Sequence, residues 1–139
     1  MDFNTVTEIK NNILQGKFLE AKKDILTLSQ SAFEDMILDM SYHEESITAY
    51  SFLCFLMVEK ETAELHSLAA KVLINDFFYI EGSYATALYH ARRRLEFSPE
   101  DIDFLQALIF FNDIPEKLVS DEEVEEINAR VRDLEKNKE

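Results

Sequence analysis

A chain of 139 residues, 47% of them apolar, has material for one hydrophobic core and too little for two, so a single domain over residues 1–139 is expected. Two glycines, two prolines and one cysteine leave no stock for tight β-turns, a phosphate-cradling loop or an internal disulfide. A net charge of −14 argues against nucleic acid as a partner, because phosphates are neutralised by clustered Lys and Arg. The acids crowd the middle of the chain: residues 34–66 carry eight of them against Lys60 alone, whereas residues 1–33 balance four acids with four bases. That asymmetry suits a surface addressed to a basic partner.

In chain order, Thr5 with Glu8 reads as a capping box opening a first helix over about 5–15, closed by Gly16. Phe18, Ala21, Ile25 and Leu28 fall on one stripe of a second helix. Ser31 with Glu34, and Ser41 with Glu44, read as two further capping boxes bracketing a short third helix that bears Phe33, Met36, Ile37 and Met40. A fourth helix is expected over 42–59; the sequence 59–62 has neither Gly nor Pro, so a break there is preferred over one continuous helix but not dictated. Leu65, Leu68, Ala69, Val72, Leu73 and Phe77 mark a fifth helix, and Tyr84, Ala87, Leu88, Ala91 and Leu95 a sixth beyond Gly82. Ser98-Pro99 followed by two acids opens a seventh to about Asn112, ended by Pro115. Ser120 with Glu123 then caps an eighth over 120–137.

Gly82, Tyr84, Ala87, Leu95 and Pro99 together resemble one unit of a tetratricopeptide-like repeat, whose period is roughly 34 residues. The unit would span 69–102, with Ile74 and Phe78 as the large packing residues of its first helix. Gly16, Phe18 and Ala21 repeat the glycine, aromatic, alanine spacing 66 residues earlier. Lys71, Asn75 and Arg94 depart from the pattern, at positions where the family commonly has an aromatic or a small residue. The fold this resemblance implies is all-α: a right-handed stack of antiparallel helical hairpins, about eight helices, with residues 120–137 as the C-terminal capping helix.

No catalytic or metal constellation is expected, and no cofactor. His43-Glu44-Glu45 places its side chains on diverging faces, and His66 and His90 read as isolated. Cys54 reads as a buried, inert thiol within the apolar run 47–58, which is too short to span a bilayer. Asp2, Glu8 and Lys10 interrupt any leader-like opening, so a cytoplasmic location without membrane partners is expected. Arg92-Arg93-Arg94 cannot form one stripe on a helix; a solvated face, or pairing with the acids of the middle, is the expectation. Val124, Ile127, Val131 and Leu134 form a narrow seam that suits a capping helix or a weak homodimer of an otherwise monomeric chain.

In a hairpin stack the first helix of each pair lines the inner surface, which here places Asp76, Tyr79, Asp103, Gln106, Phe110 and Asp113 there, with Glu44 and Glu45 as further acidic contacts. Acids interleaved with aromatics suit a basic protein partner. A small, strongly acidic, non-catalytic chain resembles in type the bacterial immunity proteins and antitoxins that neutralise basic nuclease toxins. A tetratricopeptide-like adaptor or chaperone that holds a peptide segment is the alternative.

Overall fold

The computed structural model describes residues 3–138, with side chains from Thr5 onward. These residues form nine helical segments and no strand: α1 (Phe3–Leu14), α2 (Phe18–Ile25), α3 (Gln30–Glu44), α4 (Thr48–Glu59), α5 (Ala63–Asp76), α6 (Ser83–Phe97), α7 (Ile102–Ala107), α8 (Phe110–Asp113) and α9 (Asp121–Asn137). No helix among the described residues is long and apolar enough to cross a membrane.

Local chemistry sets most of the boundaries. Gly16, at φ 77°, closes α1 with the paired bonds Gly16 N–H to the Ile13 carbonyl (3.0 Å) and Lys17 N–H to the Asn12 carbonyl (2.8 Å). A left-handed glycine satisfying two orphan carbonyls is the usual helix stop. The break between α4 and α5 is real: Lys60 is extended, and the Thr62 hydroxyl accepts from Leu65 N–H at 3.1 Å. Ser120 caps α9 by accepting from Glu123 N–H at 3.1 Å, as its spacing predicts.

Four expected caps are different in the structure. α1 is described from Phe3, so Thr5 lies inside its first turn and is not its cap. The cap of α3 is Ser29, whose hydroxyl accepts from Ala32 N–H at 3.1 Å, and Ser31 sits inside the first turn. Ser41 is mid-helix and buried, its hydroxyl spent on the Ile37 carbonyl at 2.7 Å. α3 therefore runs on through residues 42–44 and ends at Glu45, which takes a left-handed φ of 51° without being glycine. Pro99 lies in a turn closed by Asp101 N–H on the Ser98 carbonyl, and Asp101 caps α7 by accepting from Phe104 N–H. The expected seventh helix is two pieces, because Leu108 and Ile109 bond three residues back instead of four.

Two apolar cores meet at α5. Ile9, Ile13, Ala21, Phe33, Met36, Ile37, Met40, Ala49, Phe52 and Leu53 fill the first together with Leu68, Ala69, Val72 and Phe77. Ala70 and Leu73 turn the other way, into a second core with Ala87, Ala91, Leu105, Leu108, Phe111, Val119, Ile127, Val131 and Leu134. A helix apolar on most sides is one buried on most sides. α5 and α6 pack most extensively of all pairs, with Ala70, Ala87 and Ala91 supplying small side chains at their junction. α9 lies on α7 and buries Ile127, Val131 and Leu134 in the second core.

The repeat register fails at one point. Phe78, expected between helices, lies past the end of α5 and is 55% exposed, while Phe77 is 1% exposed and belongs to the first core. α5 stops at Asp76, so the chain has already left helical phase when it reaches residue 78.

Candidate protein-interaction surface

Residues 77–82 connect α5 to α6 and contain four large apolar side chains in succession. A single loop cannot bury all four: Phe77 goes inward, while Phe78, Tyr79 (61% exposed) and Ile80 stay at the surface. The loop is fixed by Ile80 N–H on the Phe77 carbonyl (3.0 Å), Ser83 N–H on the Ile80 carbonyl (3.1 Å), and the buried Ser83 hydroxyl donating to the Phe77 carbonyl. Gly82 supplies the φ of 89° that lets α6 begin immediately. The aromatic rings are thus presented on hydrogen-bonded backbone, which lowers the ordering cost of binding.

The exposed rings continue beyond the loop. Tyr79 leans on Phe77 and meets Phe78 edge-on at 5.9 Å between centroids. Tyr84 on α6 meets Phe110 on α8 at 5.9 Å, and Phe110 is held edge-on against buried Phe111. Phe78, Tyr79, Ile80, Tyr84 and Leu118 line an open depression of about 430 Å³ with Glu81 and Glu116 in its wall. Asp76, half-buried beneath the loop, has its carboxyl raised above the usual range by desolvation. Lys117, between Glu116 and Leu118 in sequence, is engaged by Asp121 at 3.0 Å.

Asp103 and Gln106 on α7 and Phe110 and Asp113 on α8 are all exposed. Phe110 reaches the aromatic loop through Tyr84. Glu44 and Glu45 are exposed as well, but they close α3, an element of the first core. Sequence reasoning missed Phe78, Ile80, Tyr84, Leu118, Glu81 and Glu116 as surface groups. The available signal was the run 77–80 itself, too apolar to be buried whole at a helix end.

A second cluster corrects the reading of His66 and His90 as isolated. His66 on α5 and His90 on α6 are 1% and 3% exposed, and their Nδ1 atoms lie 2.9 Å apart. Tyr50 on α4 meets His90 Nε2 at 2.8 Å, and the Glu61 carboxylate stands 3.5 Å from His66 Nε2. Glu61 in turn accepts from Arg93 at 2.8 Å, and Arg93 also pairs with Glu96. One arrangement of hydrogens suits every member: Tyr50 O–H donates to His90 Nε2, His90 Nδ1–H donates to His66 Nδ1, and His66 Nε2–H faces Glu61. Burial depresses both imidazoles, His90 to about 4 with His66 as a second cause. Burial also raises the Tyr50 phenol.

Cys54 is half-buried rather than buried, and lines a cavity of about 300 Å³ with Tyr50, Glu61, Tyr89 and the two histidines. No group of three His, Cys, Asp or Glu among the described residues could hold a metal ion. The imidazole pair itself is set for a hydrogen: a metal in line between two nitrogens needs them about 4 Å apart. His43 is elsewhere, 3.3 Å from Asp39 on its own helix.

The three arginines each find a partner within the chain. Arg92 makes a two-pronged contact with Glu123 of α9 (2.6 and 3.0 Å), Arg93 holds Glu61, and Arg94 donates to the Ser67 hydroxyl while stacking on Phe104 at 4.4 Å. Compared with known proteins, the chain matches no family model, no curated protein and no solved structure. The functional reading therefore rests on its own geometry.

Proposed function

We propose that this chain is a protein-binding module that recognises a basic protein, acting as an acidic inhibitor of the immunity type in the cytoplasm. The observation that carries the reading is the exposed set Phe78, Tyr79, Ile80, Phe110 and Leu118, bridged by the half-buried Tyr84, on a chain of net charge −14, with Glu81 and Glu116 in the same depression. A contiguous aromatic patch bordered by charge is the composition of a binding surface: rings supply buried area, while carboxylates speed encounter and select Lys and Arg. Neutralising a nuclease toxin is the task that best accounts for so acidic a chain, since a basic cleft made for nucleic acid is complementary to it.

A tetratricopeptide-like adaptor is the second reading. Glycine turns at Gly16 and Gly82 and the close α1–α2 and α5–α6 pairs support helical hairpins, although α1 and α2 both pack on α4, out of chain order. The exposed Phe78 stands against the family register.

Both readings are tested by capture from the source cells on immobilised wild-type protein and on a Tyr79→Ala/Phe110→Ala variant. An inhibitor retains a basic protein that elutes as salt rises and is lost on the variant; Glu44→Lys/Glu45→Lys slows that association without unfolding the chain. Retention of the same proteins by both baits excludes the aromatic surface as the binding site. Capture of short peptides with little salt dependence favours the adaptor.

A further inference from the structure

The junction of α4, α5 and α6 holds two imidazoles where there is room for one hydrogen between them. We propose that the His66–His90 pair is an acid-sensitive latch, at which protonation of both rings parts α6 from α5 and loosens the hairpin that carries the aromatic loop.

The groups facing the pair decide how many protons it tolerates. Tyr50 and Cys54 face it from α4, Glu61 from the α4–α5 connection, and Tyr89, Arg93 and Glu96 from α6. At neutral pH the two carboxylates and one guanidinium leave a single negative charge beside His66. A first proton on His66 is matched by Glu61; the shared hydrogen then points from His66 to His90, and His90 presents N–H to the Tyr50 oxygen. A second proton has no such accommodation. It sets two N–H groups head to head at 2.9 Å and places two cations side by side on rings that are almost fully buried. Relief comes by separation of α5 and α6, because both rings are fixed to those helices.

The direction in pH follows. Folded-state values are depressed, so the closed latch is fully stabilised above the ordinary imidazole pKa of about 6.5 and loses that stabilisation as pH falls toward about 4. With those two values for His90 alone, the open state gains about twentyfold between pH 7 and pH 5, and His66 adds to it. Asp39, Glu61, Asp121 and Glu123 are all held below their ordinary carboxyl values, so at pH 5 they do not contribute.

The link to binding rests on the proposed function, but the latch itself is read on the free protein. Amide hydrogen exchange of the wild type at pH 7 and pH 5, with times scaled for the intrinsic rate, should show peptides from residues 63–97 opening about twentyfold more at pH 5. Peptides from residues 121–137 should change much less. In a His66→Gln/His90→Gln variant, which keeps hydrogen-bonding side chains without a titrating ring, the difference should vanish. Should that variant not fold, the wild-type comparison decides alone. Equal protection of residues 63–97 at both pH values, uniform loss over the whole chain, or an acid response undiminished in a folded variant would each overturn the proposal.

Discussion

Phe77→Ala and Phe78→Ala form a matched pair that tests the architecture at its most exacting point. The residues are neighbours in sequence and identical in chemistry, yet Phe77 is 1% exposed inside the first core and Phe78 is 55% exposed on the loop. Truncating Phe77 withdraws on the order of 150 Å² of apolar ring from burial, about 4 kcal/mol at ~25 cal/mol per Å². That agrees with about 3–5 kcal/mol for removal of a buried phenylalanine side chain. For a chain of this size the loss corresponds to a fall in Tm of about 8–16 °C. Truncating Phe78 removes a ring that is already more than half exposed and touches Tyr79, so its stability cost should stay below about 1 kcal/mol. Urea unfolding followed by helical circular dichroism, with both variants and wild type in one buffer, gives the two numbers. A larger loss for Phe78 than for Phe77 would restore the repeat register and refute the loop geometry.

Three smaller perturbations examine the local devices. Ser29→Ala should cost about 1 kcal/mol in the same unfolding assay and Ser31→Ala nearly nothing, because only Ser29 satisfies an orphan N–H of α3. Gly82→Ala should cost about 1–2 kcal/mol from backbone strain alone, since an added Cβ meets no atom within 4 Å; a larger loss would mean a steric clash the structure does not contain. Glu123→Gln should lower stability by no more than about 1 kcal/mol, with the difference shrinking as salt is added, because the Arg92–Glu123 contact is substantially exposed.

What could be read in advance divides along physical lines. Helix identity follows from apolar spacing, and the stripes through Ile9 and Ile13, through Leu68 and Val72, and through Ile127, Val131 and Leu134 all face the cores as their periodicity demands. Caps were less legible. Ser29, Ser31 and Ser41 are chemically equivalent as N-cap candidates, and which one caps depends on where α3 can start packing Phe33, a long-range condition. The left-handed Glu45 carries no glycine to announce it. Asp103, Gln106, Phe110 and Asp113 are each exposed, on both sides of a tightened turn that no residue in the stretch announces. The His66–His90 contact was invisible: 24 residues separate the two, and only the close approach of α5 and α6 brings their rings together.

The sharing of α5 between the two cores makes the halves of this protein mutually dependent. A polypeptide ending after Glu59 lacks Leu68, Ala69, Val72 and Phe77, and leaves Ile37, Phe52 and Leu53 facing solvent. One beginning at Ser83 lacks the Ala70 and Leu73 against which Ala87 and Ala91 rest. Neither fragment retains a closed interior. A ribosome must therefore complete the stretch through Phe77 before the first core can close, and a protease that nicks the chain at Lys60 severs the only covalent tie between the α1–α4 segment and the helix that completes its core.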